Sequence, residues 1–292
     1  MPYRKKYMPQ IIQILNENDF RGFNNWLADD DQHINPVFIG EFNHPIAGEI
    51  QAYCKLYNPK GKGLINEIVG YLITYAIGLK QPEYAFLSIL PKQKLDKISE
   101  LVKQKNNEWI KEYNNILCFC TSRLDGHSAA AHLKPPITDE ALTDLADDVL
   151  QWDGYIDTVA LDENIAHVDR HFNNLLRLSK QSYALIDNGR LINEYAEDWD
   201  LSMLNSKQLY PNKILQAVDY RQCINPTTND IIAKSIILAE KHIEKIKPIE
   251  SELTFWLNTL LPEIENLGFK KFLMDRTKDV SWILKKRFKI MI

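Results

Sequence analysis

Apolar residues in the first part of the chain recur in short runs separated by polar or turn-forming residues. Residues 10–15, 36–42, 49–57, 83–90 and 116–122 each have the length and the Ile, Val, Phe and Tyr content of a strand. Asn43-His44-Pro45-Ile46-Ala47-Gly48 joins the second and third of these runs as a turn, and Asn58-Pro59-Lys60-Gly61-Lys62-Gly63 reads as a loop. Residues 20–30 are predicted as a turn of surface helix. Between the strands one segment has a different period. Leu64, Ile65, Ile68, Val69, Leu72, Ile73, Ala76 and Ile77 fall at helical spacing, and Gly78 and Pro82 mark the end of that helix. The charged stretch 92–113 is also predicted helical.

From Pro135-Pro136 onward the pattern turns helical. Thr138 or Asp139 can cap a helix whose first turn carries Asp139 and Glu140. Asp153-Gly154 breaks it, and a second helix runs from Tyr155 toward Ile165. Tyr183-Ala184-Leu185-Ile186-Asp187 is a short apolar strand ending in a carboxylate, followed by Asn188-Gly189. Beyond Lys213 everything is helical in pattern, with breaks near Asn225-Pro226 and Lys247-Pro248. A β-rich part followed by a helix-rich part predicts an α+β protein of two lobes, 1–122 and 123–292.

Composition narrows the class. The 292 residues are 45% hydrophobic and 25% charged, the mix of an ordinary globular protein. A chain of this length buries about 75% of its unfolded surface and needs no disulfide to fold. Lys+Arg 35 against Asp+Glu 39 gives −4, a balance that points to neither nucleic acid nor membrane as the main partner. The longest uncharged apolar-rich run, 68–79, is short of the about 20 residues that span a bilayer. The basic start Met1-Pro2-Tyr3-Arg4-Lys5-Lys6 is not followed by the apolar run and cleavage site of a secretory signal. Four cysteines without a CxxC fit a reducing cytoplasm.

The candidate chemistry lies in His167-Val168-Asp169-Arg170-His171-Phe172-Asn173-Asn174 and, thirteen residues after Asn174, Asp187 at the strand end. Phosphoryl transfer needs a carboxylate beside the nucleophilic hydroxyl and hard oxygen ligands that hold Mg²⁺ on the nucleotide phosphates. Asp169 suits the first role, Asn174 and Asp187 the second. Lys55, on a strand face with Gln51 and Tyr53, is the candidate cation for the phosphates. Glu67 on the following helix is the candidate partner that anchors it.

These residues resemble the HipA-like serine/threonine kinases and, more distantly, the phosphoinositide lipid kinases. The likeness rests on Asp169-Arg170-His171 with Asn174, on Ile186-Asp187, on the helix Leu64-Ile65-Asn66-Glu67-Ile68-Val69 and on the strand carrying Lys55. It implies a two-lobed protein-kinase-like fold using ATP and Mg²⁺, with Asp169 as catalytic Asp, Asn174 and Asp187 as metal ligands, and Lys55 on the phosphates. It places the adenine contacts near Phe119, Cys120 and Thr121, and implies a protein substrate and a possible regulatory protein partner. Two departures accompany it. His167 stands where many of these kinases carry Asn, giving a pattern similar to aminoglycoside and choline phosphotransferases. The region expected to cover the phosphates has only Gly40 and Gly48, with no Ser or Thr between Pro36 and Tyr57. A small-molecule or lipid phosphotransferase and a nucleotide-binding pseudokinase-like module are the alternatives.

Two charged segments remain. Residues 135–164 hold nine acidic residues and no Lys or Arg, while 267–292 hold eight basic residues against two Asp. The first reads as a solvated helix face or a surface for a basic substrate. The second reads as a terminal amphipathic helix with lysines outside. The two segments can also face each other.

Overall fold

Alternating burial organises the first part of the chain into one sheet. The computed structural model describes residues 10–27, 35–101, 105–133, 135–219 and 226–290. Among them are β1 (Ile12–Leu15), β2 (Phe20–Trp26), β3 (Val37–His44), β4 (Gly48–Leu56), helix α1 (Gly63–Ile77), β5 (Ala85–Pro91), the short α2 (Ile98–Leu101) and β6 (Asn115–Ser122). The strands form a six-stranded sheet in the order β1-β5-β6-β4-β3-β2, antiparallel except for β1 beside β5. One face is a core of Phe20, Phe38, Phe42, Phe86 and the thiols Cys54, Cys118 and Cys120, covered by Leu95, Ile110 and Trp109 from the segment between β5 and β6. The three thiols are free and buried, and burial pushes each of them up from the ordinary cysteine range.

The predicted helical turn at 20–30 is instead strand β2 over its described part; residues 28–30 lie outside the described residues. Two register shifts, between Phe20 and Gly22 and between Phe23 and Asn25, break the alternation that marks a strand in sequence. Gly40 lies inside β3, not in a loop. A Cβ there would come 2.9 Å from the Phe38 ring and 3.1 Å from those of Phe20 and Phe42. At the β3–β4 turn the imidazole Nδ1 of His44 accepts the N–H groups of Ile46 and Ala47, at 3.3 and 3.2 Å. Those donors therefore serve the turn itself. The helical expectation for 92–113 resolves into short pieces, with α2 as the α-helical one.

The second part is helical, with a small sheet. Its elements are β7 (His127–Ser128), α3 (Asp139–Leu150), α4 (Tyr155–Ile165), β8 (Leu175–Ser179), β9 (Ser182–Leu185), α5 (Lys213–Asp219), α6 (Pro226–Glu240), α7 (His242–Ile246), α8 (Glu250–Leu260) and α9 (Glu263–Arg287). Thr138 caps α3 by accepting the N–H of Ala141 at 3.2 Å. β7, β8 and β9 form a three-stranded sheet. The buried α4 has α6 and α9 as neighbours. Cys223 and Asn225 lie outside the described residues.

The protein is thus mixed α and β, with a β-rich N-terminal sheet and a helical C-terminal part. Two units share the chain: Met1–Leu64 with Pro82–Leu124, and Ile65–Gln81 with Asp125–Ile292. Helix α1, counted with the first lobe from sequence, belongs almost wholly to the second unit. Its buried Asn66 and Glu67 explain why. Asn66 donates to the carbonyls of Gly189 and Glu197, both at 2.8 Å, and accepts from the Trp199 indole at 2.9 Å. Among the described residues no helix is long and apolar enough to cross a membrane.

Candidate active site

Helix α4 stops where Ala166 takes the left-handed conformation, φ 53°. The chain reverses there into the loop 167–174, which is fastened to a second segment. Ile192 N–H donates to Ala166 O at 2.8 Å, and His167 bridges Leu191. The loop runs into β8, and the β8–β9 hairpin returns the chain so that Leu185 pairs with Leu175. Ile186 N–H then donates to Asn174 O at 3.3 Å. A hairpin of this length therefore brings Asn174 and Asp187, thirteen positions apart in sequence, to the same end of the ladder.

Asp169 is bound into that end through its backbone. Asn174 Nδ2 donates to Asp169 O at 2.7 Å, which turns the amide nitrogen inward and leaves the amide oxygen for a cation. Asp169 N–H donates to His167 Nδ1 at 3.2 Å, so this nitrogen carries no proton. His167 Nε2, 3.2 Å from Asp187 O, is then the protonated one and donates to that carbonyl. Burial, assisted by the Arg170 charge, holds His167 well below the usual histidine range, so it stays neutral. The histidine at this unexpected position thus links the Asp169 backbone to the Asp187 backbone.

Asp187 has φ 58°, a conformation that Asp tolerates better than most residues. Both of its neighbours are braced by the fully buried Arg170. Arg170 donates to Ile186 O and to Asn188 Oδ1, each at 2.7 Å. Asn188 N–H donates to Glu67 Oε2 at 2.8 Å. Gly70 lets α1 approach this turn, since a Cβ at Gly70 would fall 2.3 Å from Asn188 Cβ. Glu67, read from sequence as an anchor for Lys55, thus also holds this turn within the second unit. Lys55 lies on β4 with Gln51 and Tyr53, on the face away from the buried Cys54 and Leu56, and its Nζ is 5.4 Å from the Tyr57 ring centroid.

Phe119, Cys120 and Thr121 sit in β6, between β4 and β5 and paired to both. Cys120 is fully buried and Phe119 nearly so. This placement gives the adenine role expected of these three residues no support.

Three residues at the site carry no signal in the sequence. Lys213 Nζ is 2.7 Å from Asp169 Oδ1, and Arg190 Nη1 is 3.0 Å from Oδ2. Both oxygens of the candidate catalytic carboxylate are thus paired with cations that lie 44 and 21 residues further along the chain. Asp162, buried in α4, lies 3.5 Å from Arg170 Nε. His171 Nε2 is 3.8 Å from Asp169 Oδ2, and burial lowers its pKa.

Burial pushes the Asp162 carboxyl up to about 7, against the attraction of Arg170. The folded protein therefore holds this proton more tightly than the unfolded chain, where an Asp titrates near about 3.9. The stability Asp162 contributes is fully present below about pH 4 and falls as pH rises toward about 7. Asp162→Asn is expected to flatten that part of the stability curve, measured by thermal unfolding from about pH 4 to about pH 8.

The donor set suits Mg²⁺ on a nucleotide. One amide oxygen and one carboxylate are hard ligands, and Mg²⁺ commonly takes its remaining oxygens from phosphates and water. Among the described residues no group of three His, Cys, Asp or Glu could hold a metal ion by itself. No protein-family model matches the chain, and no curated protein matches it.

Proposed function

We propose that the chain is an ATP-dependent phosphotransferase with a protein-kinase-like fold of the HipA-like kind, transferring the γ-phosphoryl group to a Ser or Thr hydroxyl of a protein in the cytoplasm. The observation that carries this reading is the hydrogen-bonded ring through the loop end. Asn174 is fastened to the Asp169 carbonyl, and His167 joins Asp169 N–H to Asp187 O. One rigid unit thereby presents a carboxylate together with an amide and a carboxylate of metal-ligand type.

Asp169 would accept the hydrogen bond of the acceptor hydroxyl and orient its oxygen for attack. Asn174 and Asp187 would hold Mg²⁺, which when bound offsets charge on the phosphate oxygens. Arg170, neutral His167 and Glu67 keep the Asp187 turn in one conformation, so that no reorganisation is needed during reaction. The free buried thiols suit a reducing compartment.

Lys55 is the proposed phosphate cation. Lys55→Met is expected to lower transfer by about 10²-fold or more while leaving measurable nucleotide affinity, because a charge on phosphate oxygens counts most in the transition state. Calorimetric titration with ATP beside a transfer assay checks it. Full activity would remove Lys55 from the site.

The acceptor class is tested by incubating the protein and [γ-³²P]ATP with a fractionated cell extract. Label in protein phosphoserine or phosphothreonine supports the reading. Label confined to small molecules or lipids would replace the acceptor, and nucleotide binding without transfer to any fraction would favour the pseudokinase-like module.

A further inference from the structure

The Asp169 carboxylate is held by more positive charge than it needs. Lys213 and Arg190 together bring +2 to one −1 group, which is only 14% exposed. Both cations are fixed from elsewhere in the second unit. Lys213 opens α5, where Asn212 Oδ1 accepts the N–H of Leu215 at 3.1 Å and Asn212 Nδ2 donates to Glu163 at 3.1 Å. Arg190 belongs to the strip beside the loop, its carbonyl accepting Val168 N–H at 3.3 Å. Neither arrangement is a loose surface pair.

Each cation also keeps hydrogen-bonding capacity. An ammonium has three donors, and Lys213 spends one of them on Asp169 among the described residues. Arg190 Nε is buried and has no hydrogen-bond partner among the described residues. Unused donors on charged groups beside a carboxylate suit an oxyanion that arrives with the reaction.

We propose that Lys213 is a catalytic residue that donates both to Asp169 and to an oxygen of the transferring phosphoryl group, and that Arg190 is a positioning residue for Asp169. This rests on the phosphoryl-transfer reading. A hydroxyl hydrogen-bonded to Asp169 Oδ1 lies about 3 Å from that oxygen. The oxygens of the phosphorus it attacks then come within reach of an ammonium bonded to the same carboxylate. In the step, the acceptor oxygen forms a new bond to the γ-phosphorus. The bond from that phosphorus to the β,γ-bridging oxygen breaks, and ADP leaves with its electron pair. The hydroxyl proton passes to Asp169 Oδ1, and Lys213 stays protonated throughout. The surplus positive charge matches the negative charge on a loose, metaphosphate-like group.

The test compares binding of MgADP alone with MgADP plus aluminium fluoride, a mimic of the transferring phosphoryl, by calorimetry. Wild type is expected to bind the fluoride complex more tightly, and Lys213→Met to lose about 10²-fold of that preference with MgADP affinity unchanged. Lys213→Arg, which keeps the charge, should retain most of it. Arg190→Gln should lower kcat more than KM. If Lys213→Met loses the fold, Lys213→Gln carries the same comparison, since it keeps a donor to Asp169 without the charge. An undiminished preference in either folded variant overturns the role of Lys213. If wild type binds neither MgADP nor the fluoride complex, the phosphoryl-transfer reading itself falls, and the role of Lys213 with it.

Discussion

Asp187→Asn is expected to lower Mg²⁺-dependent transfer by about 10²-fold or more while leaving the fold intact. Asn tolerates the left-handed backbone at this position, so the substitution removes the charge without straining the turn. Asp187 Oδ1 accepts the Gly189 N–H at 3.4 Å, a bond that the Oδ1 of Asn can keep, and the other braces on that turn run through backbone and neighbouring side chains. Arg170 holds Ile186 O and Asn188 Oδ1, Glu67 holds Asn188 N–H, and His167 donates to Asp187 O. The thermal midpoint should therefore stay within about 2 °C of wild type. Raising Mg²⁺ should restore part of the activity, because the weakened site still has Asn174. Near-wild-type turnover with a normal Mg²⁺ requirement would show that this turn is not the metal site.

The second large effect concerns the fold. Arg276→Met should destabilise the protein by about 3–5 kcal/mol, a large part of the about 5–15 kcal/mol typical of a native domain. Arg276 is fully buried on α9, and burial lowers its pKa to about 10, where it still carries its charge at neutral pH. It donates to Glu163 O and Asn164 O, at the end of α4, and to Ser206 O and Gln208 O at 3.1 and 2.9 Å. Methionine fills a similar volume but leaves these buried acceptors without their donor. It also removes the pairing with the buried Glu163. Urea unfolding followed by circular dichroism gives the change directly. A loss below about 1 kcal/mol would mean that water replaces the guanidinium at little cost.

The same arginine shows what the charge pattern of the sequence disclosed and what it hid. The basic end of the chain forms the expected amphipathic helix, with Lys271, Lys278 and Lys286 exposed. Yet Arg276 and Arg287 turn inward to Glu163, a member of the acidic stretch, so the two segments do meet at that point. Within the acidic stretch Asp144 and Asp147 are solvated, whereas Asp162 and Glu163 are buried. Composition treats these carboxylates alike; only the third dimension separates them.

Strands and helices with one clean period were legible. The helices α1, α3 and α4 lie within a residue or two of their expected limits, as do β4 and β6. β2 was not legible, because its two irregularities shift the alternating residues to the other face. In the candidate site the local motif was legible, since Asp169 and Asn174 share one loop and Asp187 ends a recognisable strand. Arg190 and Lys213 were not, because nothing in their own neighbourhoods marks them as partners of Asp169. Gly40 misled for a related reason. The resemblance assigns it to the region covering the phosphates, whereas the packing of three Phe rings demands a glycine at this point of a strand.

The central claim is that Asp169, Asn174 and Asp187 form one phosphoryl-transfer centre. Its most direct test is the rate of label transfer from [γ-³²P]ATP by purified wild type and Asp169→Ala, each with Mg²⁺ and with a chelator, against the same cell extract. Wild type with Mg²⁺ is expected to label an acceptor. Both the variant and the chelated wild type should fall by about 10²-fold or more, with unfolding midpoints confirming that each protein is folded. Equal labelling by folded Asp169→Ala, or no labelling by wild type in any fraction, would contradict the account.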